Sequence, residues 1–410
     1  MRIVHVITRM IVGGAQENTL LNCIGLARMF GDDVTLLTGP SPGPEGDLLS
    51  LWQNDAEFAR HFEGDIPEDN PSTLPGERGG AGRLEIRRVE TLRRNIHPIR
   101  DARAAAAVAS HIAAIRPDVV HTHSAKGGII GRWAAHRHRV PMVVHSVHGA
   151  PFHQYQSRHA ATLFRRLERW AAPRCHRMIS VADAMTDLMV DAGVAPREQF
   201  VTIASGMNVE PFLNADRHRD RTRREFNFDA DAIVVGKIAR LFHLKGHDDL
   251  LDGFALAARD APRLRLLLVG DGILQSELRQ RAERLGIADR IRWAGLVPPT
   301  RVPAMIGAMD LLCHTSLREG LARALPQTLL AGKPAISFDV DGAREVVIDG
   351  KTGRLLPPRD VTSLADAITE LAGDVAMRNR MGDRGRAGCR QRFDHREMTR
   401  QIRGVYTQQQ

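Results

Sequence analysis

The residues best suited to chemistry stand at the ends of apolar runs. Glu319 and Gly320 follow Asp310-Leu311-Leu312-Cys313-His314, which reads as a strand, and precede a helix closed by Ala331-Gly332-Lys333-Pro334. Pro326 lacks an N–H and fits only a first helical turn, so the spacing predicts a helix beginning close to Ala322. The amides of Gly320, Leu321 and Ala322 are then unpaired and favour an anion or a polar oxygen. Arg240 ends the apolar run 233–239, and Lys245 opens the next helix. Two cations at one strand-to-helix turn suit an anionic group; the alternative is a pair of solvated loop charges. His148 leaves the apolar run 141–149, at the strand end where open α/β sheets place ligands. His121 and His123, two apart on a strand, point the same way and raise the idea of a metal pair. No third ligand is evident in the sequence, so the expectation is a cleft-lining role and no metal.

These groups need a scaffold, and the chain supplies a regular one. Residues 3–7, the Gly13-Gly14 turn, a helix over 15–29 and a strand over 34–37 form a βαβ unit. The two glycines let backbone amides approach a ligand, but their spacing is not the nicotinamide fingerprint. Residues 39–83 are rich in Gly, Pro and acids, with loop expected at 41–46 and 71–82 and a helical stretch at 47–62. Alternation resumes with strands at 84–89, 118–121, 141–149, 178–181 and 200–203 and helices between them. A second series starts after the charged segment 214–225: strands at 233–239, 264–270, 291–295, 310–314, 335–340 and 353–356, then helix from 362 to 406. The expected fold class is α/β, two doubly wound Rossmann-like halves divided near residue 206.

Composition narrows the partners. The net charge is +9, and residues 84–180 hold 17 Arg or Lys against 5 Asp or Glu, so one face of the first half is basic. An anionic substrate or an acidic membrane surface fits that face, as does an ordinary soluble arginine-rich one. Arg93, Arg94, Arg100, Arg103 and Lys126 are the acceptor-side candidates, with His123 beside them. Nucleic acid is not expected, because no aromatic-interleaved basic motif occurs. Cys23, Cys175, Cys313 and Cys389 have no metal-ligand spacing and read as core residues of a reducing compartment. No apolar run spans a bilayer and the N-terminus does not read as a signal peptide, so the expected location is cytoplasmic, with peripheral contact at the inner face of the membrane.

Taken in order, Gly13-Gly14-Ala15-Gln16, His121-Thr122-His123-Ser124-Ala125-Lys126-Gly127, Val147-His148-Gly149, Ser205-Gly206-Met207, Arg240 with Lys245-Gly246-His247, Gly270-Asp271-Gly272, Arg318-Glu319-Gly320-Leu321 and Asp341-Gly342-Ala343-Arg344-Glu345 resemble glycosyltransferase family 4. The resemblance implies the GT-B fold, with an acceptor domain over 1–205, a donor domain over 206–390, an interdomain cleft, and a C-terminal helix (391–410) packed back on the first domain. It implies a retaining, metal-independent transfer from a nucleoside-diphosphate sugar to a glycan or lipid-linked acceptor of surface polysaccharide or lipopolysaccharide, with no cofactor. Arg240 and Lys245 match the pair that grips the diphosphate, with Gly13, Gly14, Gly272, Leu296 and Gln327 on the nucleotide side. Glu319, Gly320 and Leu321 match the sugar-holding positions, and His148 the histidine at the reaction centre. The family's second glutamate, eight residues after the first, is Gln327 here, which keeps a hydrogen bond but loses charge assistance. Asp339-Val340-Asp341 has the letters of a metal motif but reads as a donor-side turn. An epimerase, a phosphorylase and a non-catalytic sugar-nucleotide-binding module are the competing readings; the first two lack their acid–base carboxylates or pyridoxal lysine.

Overall fold

The computed structural model describes residues 1–42, 46–64 and 82–408. Most of the loop expected at 71–82, and part of that at 41–46, lies outside the described residues. The chain divides into two compact units, Met1–Asn208 with Phe393–Gln410, and Val209–Arg392.

Unit 1 begins with β1 (Arg2–Arg9), α1 (Gly14–Phe30), β2 (Asp33–Gly39), α2 (Leu48–Asn54), α3 (Ala56–Glu63), β3 (Leu84–Arg88) and α4 (Pro98–Ile115). It continues with β4 (Val119–His123), α5 (Ala125–Arg137), β5 (Met142–Val147), α6 (Arg158–Ala171), β6 (Arg177–Ser180), α7 (Asp183–Asp191) and β7 (Phe200–Thr202). Its seven strands are parallel, in the order β3-β2-β1-β4-β5-β6-β7. Strands covered on both faces bury nearly every side chain, which is why they read as continuous apolar runs. The stretch expected as one helix over 47–62 is two, because Asp55 is extended and caps α3 by accepting from the Phe58 amide at 2.9 Å.

Unit 2 holds α8 (Glu210–Leu213), α9 (Arg219–Glu225), β8 (Ile233–Ile238), α10 (His247–Ala257), β9 (Leu264–Val269), α11 (Gln275–Arg284), β10 (Ile291–Gly295), α12 (Val302–Ala308) and β11 (Leu311–His314). There follow α13 (Ala324–Leu330), β12 (Ala335–Phe338), β13 (Gly353–Leu356), α14 (Val361–Gly373) and α15 (Val375–Arg390). The six strands are parallel in the order β10-β9-β8-β11-β12-β13. Asp310 anchors the start of β11: its carboxylate takes the Val234 amide at 2.7 Å and the guanidinium groups of Arg219 and Arg223.

The chain then returns to unit 1 with α16 (His395–Thr407), which lies on α1. Residues Asn18 to Ala27 of α1 are all buried, because the sheet covers one side and α16 another. Gly25 allows the close approach: a Cβ there would stand 2.7 Å from Thr399 Oγ1. No described helix is long and apolar enough to cross a membrane. All four cysteines are buried and unbridged.

In each sheet the strand order reverses once, between β1 and β4 and between β8 and β11. Ligands of open α/β sheets sit at the carboxyl ends of strands beside such a reversal. The residues singled out above stand at these two places.

Candidate active site

In unit 2, β8 leads through Arg240 and Lys245 to α10, and β11 leads through Glu319 to α13. The two turns are locked together. Gly246 has φ 62°, and a Cβ there would fall 1.8 Å from the Thr315 carbonyl oxygen, so only glycine fits. Thr315 Oγ1 donates to the Gly246 carbonyl and accepts from Lys237 Nζ at 2.8 Å. Leu244 and Asp341, both non-glycine, have φ 65° and 47°, a strain that persists only where surrounding contacts impose it.

Lys245 Nζ donates to Glu319 Oε1 at 2.5 Å, and His314 Nε2 lies 3.5 Å from the same oxygen. Burial would raise the Glu319 carboxyl, but the contacts with His314 and Lys245 outweigh it and hold the group well below the usual carboxylate range. Glu319 is therefore ionised at neutral pH and can only accept hydrogen bonds. Its own amide donates to Asp341 Oδ2 at 2.6 Å. Asp341 is thus the brace of this turn, and Asp339 pairs with Arg344 (Nε to Oδ1 3.0 Å), so both carboxylates of Asp339-Val340-Asp341 serve the local structure. Burial raises Asp341, chiefly offset by that amide.

The helix after Glu319 begins at Ala324, close to Ala322 as expected, with Arg323 as the capping position and Pro326 in the third place of the first turn. Residues 320 to 322 are therefore a loop. No described group accepts from the amides of Gly320 and Leu321, and both residues are half-buried. Gln327 is half-buried within α13. Arg240 lies over the Phe242 ring, 5.1 Å from its centroid, and Gly272 packs on the same ring. Leu296, just past β10, is exposed.

In unit 1, Gly13 caps α1 and Gly14 is its first residue, beside the end of β1. Ser124, with φ 60°, caps α5, and its hydroxyl meets Thr8 Oγ1 at 2.9 Å. His148 is half-buried beyond β5, its Nε2 3.1 Å from His123 Nδ1. His123 is buried, since β4 runs through it, and so stands behind His148 instead of on a surface. Lys126 is committed locally: Nζ donates to both carboxylate oxygens of Asp101 (2.8 and 2.9 Å) and to the Asn95 carbonyl (2.7 Å). Arg93 and Arg94 are exposed.

Nothing in the sequence singled out His314 or Thr315; with Lys237, and with Asp341, read there as part of a donor-side turn, they complete the unit 2 turn. His5 joins His121 and His123: ring nitrogens of the three lie within 4.8 Å of one another, so the third imidazole that the sequence did not show exists. Its only signal was a histidine in the middle of an apolar strand. Five of the six ring nitrogens of this trio lie in hydrogen bonds, and His5 Nε2 has no partner among the described residues.

Two family models match along the chain: "Glycosyl transferase 4-like domain" over residues 13–206 and "Glycosyl transferases group 1" over residues 218–388. The chain belongs to the group 1 glycosyltransferases. It is 26% identical over 292 residues to the Escherichia coli UDP-Gal:alpha-D-GlcNAc-diphosphoundecaprenol alpha-1,3-galactosyltransferase, covering 70% of this chain and 75% of that one. It is 29% identical over 281 residues to the Streptomyces avermitilis D-inositol 3-phosphate glycosyltransferase, covering 65% and 60%. The crystal structure of Anabaena Alr3699/HepE in complex with UDP superposes with a TM-score of 0.78 at 22% identity, over 100% of both chains. Sucrose-phosphate synthase from Thermosynechococcus elongatus does so with a TM-score of 0.75 at 19% identity, over 99% and 98%. These two share the fold, and the two-sheet α/β architecture of this group 1 glycosyltransferase is GT-B.

Proposed function

We propose that this glycosyltransferase moves a sugar, with retention and without a metal, from a nucleoside-diphosphate sugar to a glycan or lipid-linked acceptor of a surface polysaccharide or glycolipid. The observation that carries the reading is the Lys245–Glu319 pair, which joins the turns after β8 and β11, the first of which also carries Arg240. The name of the Escherichia coli relative, a UDP-Gal enzyme acting on a diphosphoundecaprenol-linked sugar, supports this class of donor and acceptor.

The roles follow from charge. As the glycosidic bond breaks, the diphosphate gains charge and the sugar carbon becomes oxocarbenium-like. Arg240 and Lys245 neutralise the leaving diphosphate, the task a metal performs elsewhere. Glu319, held ionised, accepts from sugar hydroxyls, and the amides of Gly320 and Leu321 donate to sugar oxygens. An ionised Glu319 is no proton donor, and it is the only carboxylate assigned to the sugar. Transfer on one face of the sugar then needs no enzyme nucleophile, and the leaving phosphate oxygen takes the acceptor proton. His148 contributes a hydrogen bond to a substrate oxygen. Arg93 and Arg94 are assigned to an anionic acceptor or to anionic lipid, and Lys126 braces the segment after them by donating to the Asn95 carbonyl.

The test is thermal shift with a panel of nucleotide sugars, then transfer assays with the strongest stabiliser in excess EDTA. The reading expects one donor to stabilise the protein, turnover unchanged by EDTA, and a product whose anomeric coupling matches the donor. No stabilisation by any nucleotide sugar, or loss of turnover in EDTA restored by a divalent ion, overturns it.

A further inference from the structure

Unit 1 carries more buried imidazole than the proposed chemistry uses. His5 on β1, His123 on β4 and His148 beyond β5 stand on three neighbouring strands and are hydrogen-bonded in series. His148 Nε2 meets His123 Nδ1 at 3.1 Å, and His123 Nε2 meets His5 Nδ1 at 2.9 Å. The rings are near-parallel, 20° apart for the first pair and 13° for the second. The two ends of the series, His148 Nδ1 and His5 Nε2, are buried and have no partner among the described residues. His121 flanks the series without joining it. Its Nδ1 faces the Tyr406 hydroxyl at 2.5 Å and its Nε2 the Ser146 hydroxyl at 2.8 Å, while its ring lies 4.2 Å from that of His123.

Burial depresses all three rings, His148 to about 4 and His5 to about 3, so each is neutral at neutral pH. A neutral imidazole has one N–H and one lone pair. Three in series therefore share one tautomer, and only two arrangements exist. In one, every ring carries its proton on Nδ1: His148 presents an N–H at the outer end and His5 leaves a lone pair in the core. In the other, every proton is on Nε2: His148 presents a lone pair and His5 leaves an N–H in the core. An orphaned buried N–H is rarer than an under-satisfied acceptor. Both terminal nitrogens are shielded in the substrate-free chain, but His148 is a half-buried residue beyond the end of β5 and His5 is fully buried in the core. Only an N–H on His148 can gain a partner when its ring shifts or a substrate arrives, so the deep end selects the first arrangement.

We propose that His123, backed by His5, is a positioning residue that holds His148 in its Nδ1–H tautomer, so that His148 offers a substrate oxygen a donor and not an acceptor. The consequence for transfer rests on the proposed role of His148; the tautomer does not. In water free histidine prefers the Nε2–H form, so without the chain behind it His148 would present the wrong atom.

The experiment uses the full chain with ring-15N histidine. Nitrogen shifts and long-range couplings of the substrate-free protein at pH 7.5 report each tautomer. The expected result is Nδ1–H at His148, His123 and His5. His123→Asn sets an amide nitrogen where Nδ1 stood, keeps the donation to His148 Nε2, and should retain the Nδ1–H form of His148. His123→Leu removes it, should release His148 to Nε2–H, and should lower kcat about tenfold with donor KM little changed. His123→Asn should recover most of that loss. An Nε2–H signal at His148 in the wild type, unlike tautomers within the series, or an Nδ1–H form that survives His123→Leu overturns the proposal. So does a stoichiometric metal ion in the purified protein that shifts the His5, His121 and His123 nitrogens. Should His123→Leu fail to fold, the wild-type and His123→Asn spectra decide. Should His148→Ala leave transfer unchanged, the role given to His148 fails while the measured tautomers stand.

Discussion

Both units bury polar groups at the carboxyl ends of their strands, but in opposite electrical states. In unit 1 the layer is neutral: imidazoles bonded to one another, to Ser146 and to Tyr406. In unit 2 it contains ions. Glu319 is held as a carboxylate by His314 and Lys245 against the pull of burial. Lys237, fully buried with one hydroxyl partner, is pushed down to about 7 by desolvation. Burial is common to both; the difference is the presence of opposite charge. A neutral layer can choose between donor and acceptor by tautomer, whereas an ionised one opposes charge that develops in a substrate. The first suits orientation, the second a leaving diphosphate.

Among the described residues unit 1 also has an ion pair buried on both sides, away from its histidine series, and that pair offers the largest effect. Arg132 Nη2 on α5 donates to Glu168 Oε2 on α6 at 2.7 Å, with both side chains essentially inaccessible. Arg132→Met should cost about 3–5 kcal/mol in urea unfolding, because Glu168 is left buried and unpaired. Arg132→Met with Glu168→Leu should recover most of it; a double variant as unstable as the single one would contradict the argument.

Lys245→Ala attacks the ionised layer directly. It should lower kcat by about 10²–10³, or roughly 2.7–4 kcal/mol of barrier, while the histidine nitrogen spectrum of unit 1 stays as in the wild type. Retained turnover would remove Lys245 from the diphosphate site.

The pH dependence separates the units further. Lys237 titrates at 10.5 in the unfolded chain and at about 7 when folded. Between those values the unfolded state holds the extra proton, so stability rises with pH there, by at most about 1.4 kcal/mol per unit. The histidines titrate at 6.5 unfolded and lower when folded, at about 4 for His148 and about 3 for His5. Their contribution is complete above pH 6.5 and is lost as pH falls towards the folded values. Urea unfolding read peptide by peptide should show both units weakening below pH 6.5, since burial depresses His247 and His314 of unit 2 as well, and unit 2 strengthening from pH 7 to 9. Lys237→Met should abolish only the second change.

The smallest effect is at Gln327. Gln327→Glu restores a carboxylate in α13 and should tighten donor binding by about 1 kcal/mol, roughly fivefold, with the gain fading at high salt. Calorimetric titration with the donor checks it.

Most of the scaffold was legible because parallel strands covered on both faces spell themselves as apolar runs. The helices between them were legible as a class, and α4 opens at Pro98, as proline suits a first turn. What escaped reading depends on distant partners. His5 and His123 are 118 residues apart, Lys245 and Glu319 are 74 apart, and nothing local announces either contact. Lys126 looked like a free cation because Asp101 lies a helix away. The start of α13 was legible only to within a couple of residues, because proline is tolerated at more than one place in a first turn. Asp341 was seen as part of a motif; its service to the Glu319 amide is visible only in three dimensions.

The return of α16 to α1 has a consequence in time. A ribosome completes residues 1–208 first, then all of unit 2, and only afterwards the helix that carries Tyr406. His121 waits 285 residues for the hydroxyl it bonds, roughly 15–60 s at about 5–20 residues per second. Throughout that interval the face of α1 around Asn18 and Gly25 lacks its cover. The unit begun first is the one finished last, and the nascent chain carries an open apolar seam for most of its synthesis.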